Sequence, residues 1–170
     1  METAPGGKLL LMGSSKFRAG ELPAEVRERI EEAMADDATI IVGEAHGACR
    51  LYQDYLRSRG YGNVIVGHAK RIRYNAGGWR DIRYGDDLIE KERRMIEECD
   101  SAVVIWADGS GVIAQDLELL RRLGKPTFVY EYSTRDQRAR AGEIDPMRTY
   151  DPYYSMKEYH RKRRQTRKDG

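Results

Sequence analysis

Three short apolar runs that each end in a glycine-rich turn constrain the fold of this chain most. The runs at residues 9–12 (LLLM), 40–42 (IIV) and 102–106 (AVVIW) lead into the turns 13–15 (GSS), 43–47 (GEAHG) and 108–111 (DGSG). Helical patterns follow the turns. Repeated strand, turn and helix units build a parallel sheet whose loops open along one edge, and such edges bind ligands, often phosphate-bearing ones.

The alternation of apolar runs and helical patterns predicts one α/β domain. Apolar runs predict five strands, at residues 8–12, 39–42, 63–66, 102–106 and 127–132. Apolar residues at helical spacing predict four helices, from about residue 22 to 35 and over about 48–59, 88–98 and 112–123. We therefore expect a Rossmann-like three-layer sandwich around a mostly parallel five-stranded sheet.

The pattern fades after residue 133, which divides the chain into a Rossmann-like ligand-binding domain (1–134) and a C-terminal extension (135–170). The net charge is +2, but residues 156–170 hold seven basic and two acidic residues, so residues 1–155 carry about −3. This basic tail has two interpretations. It contacts nucleic acid through phosphates, which would make binding salt-sensitive, or it is a solvated or subunit-packing arm.

Composition argues against several classes of protein. Two cysteines, Cys49 and Cys99, cannot build a disulfide scaffold. His46 and Cys49 have the spacing of half a metal site, but no second pair of ligands follows, so neither a metal nor a cofactor is expected. No apolar run approaches the roughly 20 residues that span a bilayer. Residues 1–7 also lack the features of a signal peptide, so we expect a cytoplasmic protein without membrane contact.

Several motifs, in the right order over residues 9–132, resemble the SLOG-type Rossmannoid family. These proteins are distant relatives of the cytokinin-activating LOG phosphoribohydrolases and of the DNA-processing protein A family. The matching segments are 41–47 with Gln53 and Leu56 (G-D-A-x-G-x-D…Q-x-x-L), 63–66 with 73–79 (N-V-x-V…R-x-N-x-G-x-W), 90–95 with 99–100 and 105–106 (K-D-x-x-M…A-D…I-W), and 109–112 in place of a glycine–threonine turn.

The resemblance implies a nucleotide, nucleoside phosphate or nucleotide-derived ligand at the loop edge. The first hypothesis is that the protein binds this ligand as a sensor of a nucleotide-derived signal. Its phosphate would lie on backbone N–H groups at the start of the fourth helix, with help from the first turn. The candidate binding residues are Gly13, Ser14, Ser15, Gly43, His46, Gly47, Arg73, Asn75, Gly109, Ser110, Gly111, Val112 and Gln115. Relatives are commonly oligomers, so we expect a homo-oligomer with the aromatic cluster 150–154 as a contact.

One departure from the family pattern concerns catalysis. Catalytic relatives carry a glutamate three residues after the threonine of the turn, and here Val112 and Gln115 take those places. Gln115 cannot ionise, so it cannot act as nucleophile or general base, and the adjacent Asp116 is turned about 100° away on the helix. The alternative function is an N-glycosidic-bond hydrolase or transferase in which Glu44 or Asp108 replaces the missing glutamate.

Other side chains also have a functional and a structural interpretation. Glu44 binds a ribose hydroxyl or is a solvated loop acid, and Arg73 binds phosphate or forms a surface salt bridge. His68 ends a strand at the same edge and is a further candidate ligand. Trp79 stacks on a base or pins its loop to the body. Lys91 is interpreted as part of the solvated face of the third helix.

Overall fold

A computed structural model describes residues 6–150, which form an α/β fold with seven strands and four α-helices. The elements in chain order are β1 (Lys8–Gly13), α1 (Ala24–Ala35), β2 (Thr39–Val42), α2 (Ala48–Ser58), β3 (Val64–His68), β4 (Arg80–Arg83), α3 (Leu88–Glu98), β5 (Ser101–Ala107), α4 (Gly111–Arg122), β6 (Thr127–Ser133) and β7 (Arg138–Glu143). The predicted basic tail and the aromatic positions after Tyr150 lie outside these residues. Among the helices of residues 6–150, none has the length and apolar character needed to cross a membrane.

The position of β1 in the middle of the sheet determines where a ligand can enter. The strand order is β4-β3-β2-β1-β5-β6-β7, and every neighbouring pair is parallel except β6 with β7. The chain builds outward from β1 through β2, β3 and β4, then returns to the other side of β1 at β5. A crevice therefore opens beyond the carboxyl ends of β1 and β5, at the topological switch point.

Successive side chains of each strand point to opposite faces of the sheet, and they form two cores, one on each face. Leu9 and Leu11 of β1 pack with buried residues of α1 and α2, whereas Leu10 and Met12 pack with those of α3 and α4. The central strands are buried on both faces, so they are continuously apolar in sequence. The three predicted layers are thus present among residues 6–150.

The prediction of five strands is wrong, because two edge strands extend the sheet to seven. β4 lies between the predicted strand 63–66 and the predicted helix 88–98, and β7 lies beyond the predicted domain boundary at residue 134. Both strands are largely exposed, and they carry arginines, at the two ends of β4 and at alternating positions of β7, rather than an apolar run. The five central strands and the four helices agree with the predicted positions to within two residues.

Candidate functional site

The turns after β1 and β5 are tied to each other by one buried serine. Ser14 donates its backbone N–H to the Ile105 carbonyl at 2.9 Å, and its Oγ accepts from the Ala107 N–H at 2.9 Å. Its carbonyl accepts from the N–H of Ala48, the first residue of α2, at 3.2 Å. Ser14 therefore holds three elements together, and these bonds leave it a positioning residue rather than a ligand contact.

Two glycines allow these elements to approach so closely. A Cβ on Gly13 would lie 2.6 Å from the Ala48 Cβ, so β1 and α2 can meet here only without a side chain. Gly47 has a φ of 81°, and a Cβ there would lie 2.4 Å from the Ser15 carbonyl oxygen. Both positions are therefore restricted to glycine by backbone conformation or contact.

The start of α4 borders the crevice from the β5 side. Ser110 is the N-cap residue, but no side chain caps the first turn of this helix. The Trp106 indole N–H donates to the Ser110 carbonyl at 3.0 Å and fixes the turn. The first N–H groups of α4, which begins at Gly111, have no partner within the helix and carry its positive dipole end.

A cavity of about 110 Å³ lies between these turns, and we name it the switch-point cavity. Five of the predicted binding residues line it, namely Gly13, Ser15, Gly43, Ser110 and Val112. The rest of its wall comes from Met12, Ala45, Cys49, Leu88, Lys91, Glu92, Met95 and Ile113. The sequence therefore predicted the turns around the cavity but not the side chains that α3 contributes to it.

Lys91 is the largest departure from the sequence-based interpretation. It is only 3% exposed and lines the switch-point cavity, rather than lying on a solvated face. Its Nζ lies 3.7 Å from the place a Cβ on Gly43 would occupy. The spacing in the sequence could have predicted this burial. Lys91 precedes the buried Met95 by four residues, so both lie on the same side of α3.

The carboxyl groups of Glu92 on α3 and Asp116 on α4 lie close enough to affect each other's titration. Burial raises the pKa of both groups, and the like charge of Glu92 raises that of Asp116 further, well above its ordinary value. Their contact raises the pKa of Asp116 but lowers that of Glu92, so one proton shared by the pair lies on Asp116. Oδ2 of Asp116 is buried and receives no hydrogen bond from another residue within 6–150.

Cys49 closes the cavity on the α2 side. Burial raises the pKa of its thiol to about 11, against a smaller opposing effect of Lys91. The thiol is therefore protonated at neutral pH, which makes it a poor nucleophile and a poor metal ligand. Within residues 6–150, no group of three or more His, Cys, Asp or Glu side chains is arranged to hold a metal ion.

Glu44 forms a closed ion pair beside the cavity. Its side chain is 2% exposed, and Oε2 accepts from both the backbone N–H and Nε of Arg73 at 2.9 Å. Oε1 accepts from Nη2 of the same arginine at 3.1 Å. The predicted ribose-binding and phosphate-binding side chains thus bind each other, and they anchor the segment that follows β3.

The same segment is held down by further internal hydrogen bonds. Gln53, which is fully buried, donates to the Gly43 carbonyl at 2.8 Å and accepts from the Ala76 N–H at 2.9 Å. Asn75 bonds both the N–H and the carbonyl of Trp79, whose indole N–H donates to the Tyr61 carbonyl at 2.9 Å. Asn75 and Trp79 therefore stabilise their own loop.

The remaining predicted residues lie around the cavity rather than in its wall. Asp108 accepts from the N–H and Oγ1 of Thr134, so neither carboxylate oxygen is free of protein contacts. His68 contacts Asp81 through Nε2 at 2.7 Å and the Ala69 carbonyl through Nδ1 at 2.8 Å. The exposed residues of this set are His46, Asp108, Gly109 and Gln115. Gln115 points away from the buried side of α4, where Asp116 lies.

Comparisons with known proteins give no relative from which to interpret this geometry. Searches with this chain against protein-family models, curated proteins and solved structures each found no match. The fold and the switch-point cavity consequently stand on the residues described above.

Proposed function

We propose that this protein binds a nucleotide or nucleotide-derived ligand at the carboxyl edge of its sheet, in the manner of a sensor. The anionic end of the ligand enters the switch-point cavity, against the first turn of α4. This proposal includes the Rossmann-like, SLOG-type relationship suggested by the motifs. It also includes the expectation that the protein is cytoplasmic and forms a homo-oligomer.

One observation carries the proposal, namely a cavity at the switch point bordered by a helix start that no side chain caps. Unpaired N–H groups and the positive dipole end of α4 favour an anion at this place. Ser15 and Ser110 lie in the same wall and offer hydroxyl groups. A phosphate-bearing ligand meets each of these groups with an oxygen.

The volume of the cavity limits how much of the ligand it encloses. Pockets that surround drug-sized molecules measure roughly 300–1,000 Å³, whereas this cavity measures about 110 Å³. It holds one end of a nucleotide, and the remainder lies along the rim, where His46 and Val112 are exposed.

Binding without turnover is favoured over cleavage of an N-glycosidic bond. The two carboxylates predicted to replace the family glutamate are already engaged, Glu44 by Arg73 and Asp108 by Thr134. A catalytic carboxylate must reach the sugar carbon or a water beside it, and these contacts would first have to break.

Calorimetric titration with adenosine 5′-monophosphate, with adenosine as the phosphate-free comparison, tests the proposal. Gly111→Asp places a carboxylate at the start of α4, where it favours the helix dipole but meets the ligand anion. We expect at least about a tenfold loss of affinity, equivalent to about 1.4 kcal/mol. Gly142→Asp adds the same charge on the exposed strand β7, where a side chain meets nothing within 4 Å, and should bind like the wild type.

Two results would contradict this function. Equal affinity of Gly111→Asp and wild type would show that the ligand does not bind at the start of α4. Release of free adenine during the titration, detected by chromatography, would favour the hydrolase over the binding protein.

A further inference from the structure

The most unusual group among residues 6–150 is the buried amine of Lys91. It is 3% exposed and faces the switch-point cavity. Within residues 6–150 it takes part in none of the ion pairs, although Glu92 follows it directly and Asp116 lies across the helix interface. A buried lysine is costly to a fold unless something pairs with it.

The two neighbouring carboxyls are engaged with each other instead. Glu92 lines the cavity, and Asp116 contacts it from α4. One proton between them removes one of their two negative charges, so the cluster of Lys91, Glu92 and Asp116 is neutral overall. Because the carboxyl pair carries one negative charge rather than two, Lys91 can bind an anion from outside.

We propose that Lys91 and the proton-sharing pair of Glu92 and Asp116 form a proton-linked receptor for a phosphoryl or sulfuryl group in the switch-point cavity. The identity of the phosphoryl donor as a nucleotide rests on the proposed function, but the oxyanion receptor does not. Lys91 donates to one anionic oxygen and the first turn of α4 supplies backbone N–H groups to others, while the proton on Asp116 limits the negative charge beside the site.

The affinity for the anion should change with pH in a defined direction. The titratable groups facing the cavity are Cys49 on α2, Lys91 and Glu92 on α3, with Asp116 behind them on α4; β1 and the two turns add none to its wall. Burial raises the pKa of both carboxyls, so the shared proton persists above the ordinary carboxyl range. Once that proton leaves, the pair gains a second negative charge beside the bound anion. Affinity is therefore highest on the acid side and falls as pH rises.

The first experiment measures sulfate binding, because sulfate keeps the same charge across the range and reports only the protein. Lys91→Met keeps the length and shape of the side chain and removes the charge. We expect at least about a tenfold loss of affinity, with a melting temperature equal to or above that of the wild type, since an unpaired buried charge is gone.

Arg93→Met removes an exposed cation from the same helix and is the matched control. It should bind sulfate like the wild type. Undiminished binding by Lys91→Met, or equal losses in both variants, would overturn the receptor. A Lys91→Met protein that unfolds would also overturn it, because a lysine needed for folding is not an unpaired one.

The second experiment follows sulfate affinity from about pH 5 to about pH 9. Wild type should weaken as pH rises. Glu92→Gln removes the carboxyl that lines the cavity, so its affinity should fall less as pH rises and exceed that of the wild type at the alkaline end. The same pH profile in both proteins would overturn the role of the carboxyl pair.

Comparing sulfate with adenosine 5′-monophosphate separates the two proposals. Lys91-dependent sulfate binding without nucleotide binding would support the receptor and contradict the nucleotide function. Nucleotide binding that Gly111→Asp abolishes but Lys91→Met leaves intact would support the function and overturn the receptor.

Discussion

Two polar regions lie side by side at the carboxyl edge of the sheet and differ in how their buried groups are satisfied. In the paired region, formed by Glu44, Gln53, Arg73 and Asn75, the side chains hydrogen-bond one another or the nearby backbone. In the switch-point cavity, Lys91 forms no ion pair with the other residues of 6–150, and behind it the buried Oδ2 of Asp116 has no hydrogen-bond partner among them.

The difference separates structural from functional use of similar residues. Glu44 and Arg73 look like ligand-binding residues in sequence, yet they satisfy each other and hold a loop. Lys91 looks like a surface residue, yet it is buried and forms no ion pair within residues 6–150. Buried polar groups are nearly always paired in native proteins, so an exception points to a missing partner.

Removing Arg73 should produce the largest effect, because it breaks the central contact of the paired region. Arg73→Ala leaves the buried Glu44 carboxylate with only a backbone partner, and we expect a loss of about 2–3 kcal/mol in the free energy of unfolding. Urea unfolding measures this change. Arg71→Ala, at an exposed position of the same loop, should stay within about 0.5 kcal/mol of the wild type. Equal effects of the two variants would show that the ion pair is not structural.

Replacing Gln53 should have the next largest effect. Gln53→Leu fills a similar volume but leaves the Gly43 carbonyl and the Ala76 N–H without a buried partner. A cost of about 2 kcal/mol is expected, again from urea unfolding. Hydrogen exchange should also accelerate at Ala76 more than at residues of β5. Unchanged exchange at Ala76 would contradict the anchoring role of Gln53.

Asp116→Asn should have a smaller effect and the opposite direction. The folded-state pKa values of Asp116 and Glu92 are raised, so the native state holds protons more tightly than the unfolded chain. Their stabilising contribution is complete below about pH 4 and is lost as pH rises through the raised values. At neutral pH, Asp116→Asn should therefore be more stable than wild type by about 1 kcal/mol.

The measurement is the urea midpoint of both proteins at acidic and alkaline pH. Wild type should lose stability between these conditions, whereas the asparagine variant should lose less. A steeper loss in the variant would contradict the shared proton.

The central part of the fold follows from the sequence because it is encoded locally. The runs at β1, β2 and β5 are buried on both faces, so each position must be apolar, and the glycine turns mark their ends. β4 and β7 were not predicted because edge strands need only backbone pairing. Their exposed arginines carry no pattern that separates a strand from a loop.

The candidate site was predictable only in its backbone. Gly13, Ser15, Gly43 and Ser110 follow strand ends, and parallel topology brings strand ends together. The pairing of Glu92 with Asp116 depends on how α3 packs on α4, which no local spacing records. Whether Glu44 meets Arg73 or a ligand is likewise decided by the path of the loop after β3.

The arginines of the two edge strands also affect how separate molecules meet. β4 and β7 are the only strands of the described sheet with an unpaired side, and arginines flank or alternate along them, with Arg138 and Arg140 two residues apart on β7. A second sheet that docked edge to edge would bring like charges together, which disfavours strand addition and the aggregation it starts. Self-association of this protein should therefore proceed through helix faces or loops, and concentrated solutions should resist fibre growth.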